Sequence, residues 1–280
     1  MTTRREILQR IATPLVPLYG EREARSIALL AAAESSGLPE AAFLTDPQAE
    51  IALDGIDAVI EQLAAGRPVQ YVTGAATFLG RRFAVREGVL IPRPETEELT
   101  AWILREERNA SAILDVGTGS GCIAATLAAE LPHATVAAAD RSEAALAAAA
   151  ENCRALGVRV DLRRADALHD LAEVFPGPFD VIVSNPPYVP QRDRATMRPN
   201  VRDYEPAEAL FVPDDDPLRF YRAIARAARR MLRPQGRLYF EIYSLYADAM
   251  RTLLAAEGYT DLCIRNDLFE RPRMLCCRRN

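Results

Sequence analysis

Ser184-Asn185-Pro186-Pro187-Tyr188 is the stretch of this 280-residue chain whose residue types and spacing best suit chemistry. Two consecutive prolines restrict the backbone and remove two N–H donors. Carbonyls beside them are left free to accept from a ligand, Asn185 adds an amide oxygen, and Tyr188 adds a flat face. The set suits a planar NH2 group held by two acceptors and covered by a ring. An amide nitrogen is a poor nucleophile, because its lone pair is delocalised into the carbonyl. Accepting hydrogen bonds from both N–H groups polarises that nitrogen, lets it pyramidalise and aims its lone pair, so proximity and electrostatics share the work. No metal and no strong base are demanded, since the nitrogen sheds its proton readily after reacting.

A second constellation is Asp115-Val-Gly117-Thr118-Gly119-Ser120-Gly121, between an apolar run and a helical one. Its glycines let backbone approach a ligand closely, and N–H groups at the helix start can face an anion. The spacing GxGxG is one residue shorter than the dinucleotide fingerprint. It resembles the first motif of class I methyltransferases, in which the anion is the methionine carboxylate of S-adenosylmethionine. Asp140 stands 19 residues after Gly121, where a carboxylate can accept from both ribose hydroxyls. That placement serves dehydrogenases equally, so it indicates a nucleoside without saying which. Asp166 follows the next strand, and the resemblance places the adenine near it.

These residues need elements to hold them. From 111 onward strands and helices alternate: strands at 111–116, 134–140, 158–162, 179–184 and 236–242, then two terminal strands near 259–265 and 272–279. Helices are expected to about Glu130, from Ser142 to about Leu156, near 217–232 and near 245–257. The pattern predicts an α/β fold with a doubly wound, mostly parallel, seven-stranded sheet. Pro94 and the three glutamates after it suit the first turn of a helix. Residues 1–66 carry apolar residues at helical spacing and read as a small helical domain. Residues 67–90, from Gln70-Tyr-Val-Thr-Gly to Arg82-Phe-Ala-Val, are short, β-prone runs broken by glycines and predict a connecting β-hairpin. Residues 91–280 then form the cofactor-binding domain.

Composition narrows the function further. There are 34 basic residues against 39 acidic ones, and every basic one is arginine. The absence of lysine excludes a Schiff base and a Walker-type phosphate site. Residues 1–66 hold 5 arginines and 10 acidic residues, and so carry the whole net charge of −5. That balance argues against direct nucleic-acid binding through phosphates. The five cysteines form no CxxC pair and read as packing residues, as do Tyr243 and Tyr246. With two separate histidines, no metal site is expected. No window approaches a membrane span and no signal-peptide core is seen, so the cytoplasm is the expected compartment.

Four segments together carry a closer resemblance: Leu90-Ile-Pro-Arg-Pro-Glu-Thr-Glu, Leu114-Asp-Val-Gly-Thr-Gly-Ser-Gly, Ser184-Asn-Pro-Pro-Tyr, and Val201-Arg-Asp-Tyr-Glu-Pro with Ala209-Leu. The chain resembles the peptide chain release factor glutamine N5-methyltransferases, the HemK or PrmC family, over most of its length from about residue 67. The resemblance implies S-adenosylmethionine as cofactor and a release factor as partner, methylated at the glutamine of its Gly-Gly-Gln motif. It implies cofactor contacts at Gly117, Thr118, Gly119, Ser120, Gly121, Asp140, Asp166 and Asn185. It implies substrate contacts at Asn185, Pro186, Pro187 and Tyr188, with Asn185, Pro186 and Tyr188 catalytic. The N-terminal domain would dock the substrate. Two departures stand out. Ala167 replaces the aromatic residue that some members carry after the third-strand aspartate, and Phe240-Glu-Ile-Tyr-Ser lacks an expected glycine. Alternative readings are a glutamine methyltransferase of a large-subunit ribosomal protein and a DNA adenine N6-methyltransferase, since adenine also presents an NH2 on a planar group. Glu95 and Thr96 are candidates to approach the pocket, but a helix start explains them as well, and they stay outside the site set.

Overall fold

The computed structural model describes residues 2–280, which divide into two compact units: the chain up to Ala75 with Arg198–Tyr204, and Ala76–Met197 with Glu205–Asn280. The second unit is built on seven strands: β1 (Ala112–Val116), β2 (Thr135–Asp140), β3 (Asp161–Arg164), β4 (Phe179–Ser184), β5 (Leu232–Glu241), β6 (Tyr259–Asn266) and β7 (Pro272–Arg279). Their order is β6-β7-β5-β4-β1-β2-β3, with β7 antiparallel to its two neighbours and the other pairs parallel. This is the doubly wound α/β sheet expected from the sequence. The strand order reverses between β4 and β1, and ligands of such sheets bind beyond the carboxyl ends at that point.

Period-two alternation builds the two cores. Ile113, Val181, Val183 and Tyr239 enter one apolar layer, while Leu114, Ile182, Leu238 and Phe240 enter the other. Both faces are covered by helices, which is why the central strands are continuously apolar rather than alternating with polar residues. Helix α1 (Pro94–Glu106), α2 (Cys122–Glu130) and α3 (Glu143–Ala155) precede α4 (Arg219–Met231) and α5 (Ala247–Ala256). Pro94 opens α1 and Ser142 caps α3 by accepting from the Ala145 N–H. The third strand is displaced from expectation: Val158 and Val160 pack under the core edge, and the ladder begins only at Asp161.

The first unit packs helices Arg4–Ala12, Val16–Ser36, Glu40–Thr45, Ile56–Ala64 and Val69–Thr73 around Ile7, Ile11, Leu15, Phe43 and Leu63. Thr3 and Glu6 form a capping box at its first helix. The β-prone run Gln70–Gly74 is helical instead, started by Pro68 and stopped by Gly74 in the left-handed conformation. The hairpin itself is confined to Ala75–Phe78 and Arg81–Ala84. The segment Arg198–Tyr204 belongs to this unit, where Arg198 pairs with Glu23 and the Tyr204 hydroxyl donates to the Ala65 carbonyl at 3.0 Å. Four cysteines are buried and Cys263 is exposed; all five are free.

Helices α2 and α3 meet at Gly121. Its φ is +80°, and a Cβ there would stand 2.9 Å from the Ala149 Cβ. Gly121→Ala is therefore expected to lower stability by roughly 2–4 kcal/mol, overpacking and backbone strain together. Urea denaturation of the two proteins measures it, and an unchanged midpoint would remove the close-approach argument.

Candidate active site

A cavity opens at the carboxyl ends of β1, β2, β3 and β4. The glycine loop supplies Gly117, Thr118, Gly119 and Ser120, the end of β2 supplies Asp140, and the turn after β3 supplies Ala165, Asp166 and Ala167. Ser184, Asn185, Pro186 and Pro187 close the side formed by β4. The far wall is Leu90–Arg93 and Thr96 with Pro206, Glu208 and Ala209. Two of the residues singled out in the sequence stand behind this lining. Gly121 is at the helix contact described above, and Tyr188 is half-buried and stacked on Tyr243, ring to ring at 5.9 Å.

The glycine loop is held from three sides. The N–H groups of Gly117 and Thr118 donate to the Ala139 carbonyl at 2.8 and 3.0 Å. Asn152, buried on α3, donates to the Ser120 carbonyl at 2.8 Å while exchanging two hydrogen bonds with Ala84 of the hairpin. Asp140 accepts from the Gly119 N–H with one oxygen and from the Ser142 N–H with the other, both at 2.9 Å. Burial pushes the Asp140 carboxyl above the usual range, and those backbone donors pull it back. Behind the loop, Asp115 accepts from Thr118 at 2.6 Å, and its other oxygen makes no hydrogen bond with a described residue. Burial raises its pKa to about 7.

The far wall is fixed by one ion pair. Glu205 accepts from Arg93 at 2.6 Å and from the Ile91 N–H at 3.1 Å, with its side chain almost wholly buried. Two of the four resembling segments, distant in sequence, are thus one structural device. Removing one partner of such a pair leaves an uncompensated buried charge.

Behind Asn185 lies a chain of side chains that sequence reasoning left aside. Asn185 Nδ2 donates to Thr96 Oγ1 at 3.1 Å, and Thr96 Oγ1 donates to Glu241 Oε2 at 2.6 Å. The Tyr188 hydroxyl donates to Glu241 Oε1 at 2.9 Å. Burial raises the Glu241 pKa, against the pull of Thr96, Tyr188 and Arg273. The Tyr188 phenol is raised well above its usual value, by burial first and by Glu241 second. Asn185 Oδ1 accepts from no described residue, and Asn185 lines the cavity. Glu241 ends β5 directly after Leu238-Tyr239-Phe240, so the signal there was a carboxylate closing a buried apolar run. Phe220 and Ile224 of α4 also line the cavity, on which Ala167 offers little surface. No local motif marks them.

A sequence profile described as the Methyltransferase small domain matches residues 97–200. A release factor glutamine methyltransferase of Bacteroides thetaiotaomicron is 47% identical over 225 residues, covering 80% of each chain. Its counterpart in Cereibacter sphaeroides is 41% identical over 274 residues, 96% of each chain. That of Flavobacterium psychrophilum is 38% identical over 271 residues, 93% of this chain and 94% of its own. Among solved structures, the fold is similar to a methyltransferase from Pyrococcus furiosus, with TM-score 0.55 and 16% identity over 81% of this chain and all of that one. It is also similar to a 16S rRNA guanine methyltransferase of T. thermophilus, solved with AdoMet and guanosine, at TM-score 0.53 and 18% identity over 74% of this chain and 50% of that one.

The residues present fit the cofactor expected from the glycine loop. Each Asp140 oxygen has one backbone donor and a further lone pair for a ribose hydroxyl. The buried Asp115 oxygen without a hydrogen-bond partner leaves an acceptor directly behind the loop. Asp140→Ala is expected to weaken S-adenosylmethionine binding by about 1.5–3 kcal/mol, tenfold or more in Kd. Calorimetry reads this directly, and wild-type affinity in the variant would strike Asp140 from the site.

Proposed function

The chain belongs to the release factor glutamine methyltransferases, and from that membership we propose that it transfers a methyl group from S-adenosylmethionine to the side-chain amide nitrogen, N5, of the glutamine in the Gly-Gly-Gln motif of a peptide chain release factor. The observation that carries the reading is Asn185, which lines the cavity with its Oδ1 left without a partner, next to two backbone positions without N–H donors, Pro186 and Pro187. Relatives matched over nearly their whole length favour the release factor over a ribosomal protein or a DNA adenine.

When bound, S-adenosylmethionine supplies the methyl group on a sulfonium sulfur, which keeps the electrons of the broken bond. This chain's task is to make an amide nitrogen attack. Asn185 Oδ1 accepts one N–H of the glutamine and a carbonyl beside Pro186 accepts the other. Electron density shifts toward the nitrogen, which can then pyramidalise toward the methyl carbon. As the new nitrogen–carbon bond forms, the nitrogen becomes cationic and releases one proton to solvent. No residue with a shifted pKa is needed as base. Gly117, Thr118, Gly119, Ser120 and Asp140 would hold the cofactor, Asp166 and Phe220 line the part of the cavity that would take its base, and Pro187 would shape the substrate opening. Tyr188 serves by holding Glu241.

The first unit is assigned to docking the release factor. Asp54, Asp57 and Glu61 are exposed around one helix start there, and acidic surfaces steer basic partners. The cytoplasm, where translation terminates, is the compartment that goes with this substrate. No helix among the described residues is long and apolar enough to cross a membrane.

Two outcomes test the reading. Asn185→Ala should lower single-turnover transfer by about 100-fold or more, the scale for losing a hydrogen bond that strengthens in the transition state, while cofactor Kd changes little. Tandem mass spectrometry of wild-type product should place one methyl group on the motif glutamine. Modification at an arginine, a carboxylate or a terminus would defeat the amide mechanism. For docking, neutralising Asp54, Asp57 and Glu61 together should raise KM for intact release factor severalfold at low salt, with kcat held. An unchanged KM would remove the docking role of those carboxylates.

A further inference from the structure

The amide of Asn185 has two ends with opposite properties. Its oxygen accepts hydrogen bonds and its nitrogen donates them, and rotation by half a turn exchanges them at almost no change in shape. A side chain free to turn would present either end to the cavity. The oxygen suits the NH2 of a glutamine. The NH2 end suits the oxygen of a glutamate, which has the same size and outline but cannot be methylated at nitrogen. Something must choose between the two, and the cavity wall holds a chain of groups able to do so.

Thr96 Oγ carries one proton and stands between Asn185 Nδ2 at 3.1 Å and Glu241 Oε2 at 2.6 Å. Glu241 receives a second hydroxyl, from Tyr188, on its other oxygen at 2.9 Å. Two hydroxyls converging on one buried carboxyl group is the arrangement an acceptor-only carboxylate collects. Thr96 therefore spends its proton on Glu241 and has only lone pairs left for Asn185. A lone pair can be met only by the N–H end of the amide, which turns Oδ1 to the cavity. Arg273 on the next strand does not contact Glu241: it pairs with the buried Asp267 at 3.3 Å and donates to the Ile242 carbonyl at 3.4 Å. Thr96 is itself fixed on α1, where its carbonyl accepts from the Thr100 hydroxyl at 2.9 Å.

Resting on the reading that the substrate is a glutamine amide, we propose that Thr96 and Glu241 are positioning residues that fix which end of the Asn185 amide meets the substrate, and so make the site choose glutamine over glutamate. Neither touches the reacting nitrogen. The polarity passes outward from a carboxylate that can only accept, through a hydroxyl with one proton, to an amide that has no further choice.

The test compares two forms of one release factor: the natural protein as substrate, and the protein with its target glutamine changed to glutamate as inhibitor. The readout is the Ki of the glutamate form divided by the KM of the glutamine form. Thr96→Val keeps the shape of the side chain and removes its hydroxyl, which frees Asn185 to turn. It should lower that ratio about tenfold and lower kcat by about 10- to 100-fold, with cofactor Kd within a few-fold of wild type. Thr96→Ser restores a hydroxyl and should recover most of the lost ratio. Glu241→Gln can satisfy only one of two converging hydroxyls with its oxygen. It should lower kcat in the wild-type background and much less in the Thr96→Val background, because it acts through Thr96. A general loosening of the site would raise Ki and KM together and leave the ratio where it was. An unchanged ratio in Thr96→Val, with wild type methylating the release factor normally, overturns the proposal alone. Equal effects of Glu241→Gln in both backgrounds remove Glu241 from it. Failure of the wild-type protein to methylate the glutamine overturns the functional reading and the proposal with it.

Discussion

The hydrogen bond from Asn185 Nδ2 to Thr96 Oγ1 joins the two parts of the molecule that must agree for an amide to react. On one side is a loop whose backbone donors have been removed by proline. On the other is the first turn of α1, carried on the ion pair of Arg93 with Glu205. An amide nitrogen becomes a nucleophile only if both its protons are taken up by acceptors at fixed positions, since a gain of tenfold in rate corresponds to about 1.4 kcal/mol of the barrier. Acceptors that move with the substrate supply none of that. The sheet supplies the fixity: Ser184 donates to the Val116 carbonyl at 2.7 Å, so the ends of β4 and β1 cannot separate.

The same edge of the sheet holds the nucleoside end by a different means. Asp140 is tied by two backbone N–H groups, and those groups belong to the glycine loop and to the start of α3. The carboxylate therefore shapes the loop before any ligand arrives. A preshaped loop reduces the ordering that binding would otherwise require. Asn152 extends the arrangement to the hairpin, and all its polar atoms are used in doing so. A buried amide with complete partners rigidifies its surroundings, whereas a half-satisfied one would weaken them.

Much of this was legible in the residues. The glycine loop, Asp140 and Ser184–Tyr188 are contiguous or end a strand, and the alternation of strand and helix brings strand ends to one edge. Apolar, β-prone runs alternating with helical ones identified the seven strands, although the third began three residues late, because Val158 and Val160 read as strand while packing outside the ladder. What escaped is of another kind. Gln70–Gly74 is β-prone by composition, but Pro68 and Gly74 bracket a helical turn, and local punctuation overrode propensity. Thr96 and Glu241 lie 145 positions apart and meet only because α1 packs over the end of β5. A lone threonine in a first helical turn reads as a cap, and a glutamate in an apolar strand reads as an edge residue. Phe220 presents the same difficulty: its contribution to the cavity depends on where α4 crosses the sheet, which no spacing within α4 records.

Glu241 also shows what such a site gives up. A carboxyl group 1% exposed at the end of a central strand loses most of its hydration, and its two hydroxyl partners and a distant arginine restore only part of it. Buried charges of this sort are commonly neutral or unfavourable for stability compared with apolar residues of the same volume. Its immediate neighbours Leu238, Tyr239, Phe240 and Ile242 are fully buried, so an apolar residue at 241 would suit the core. The residue that would stabilise the strand is thus the one that would release Thr96 and leave the Asn185 amide unpolarised in its orientation. Stability and selectivity pull against each other at this position, as they do wherever a polar group is kept inside a core to impose one arrangement among several of equal shape.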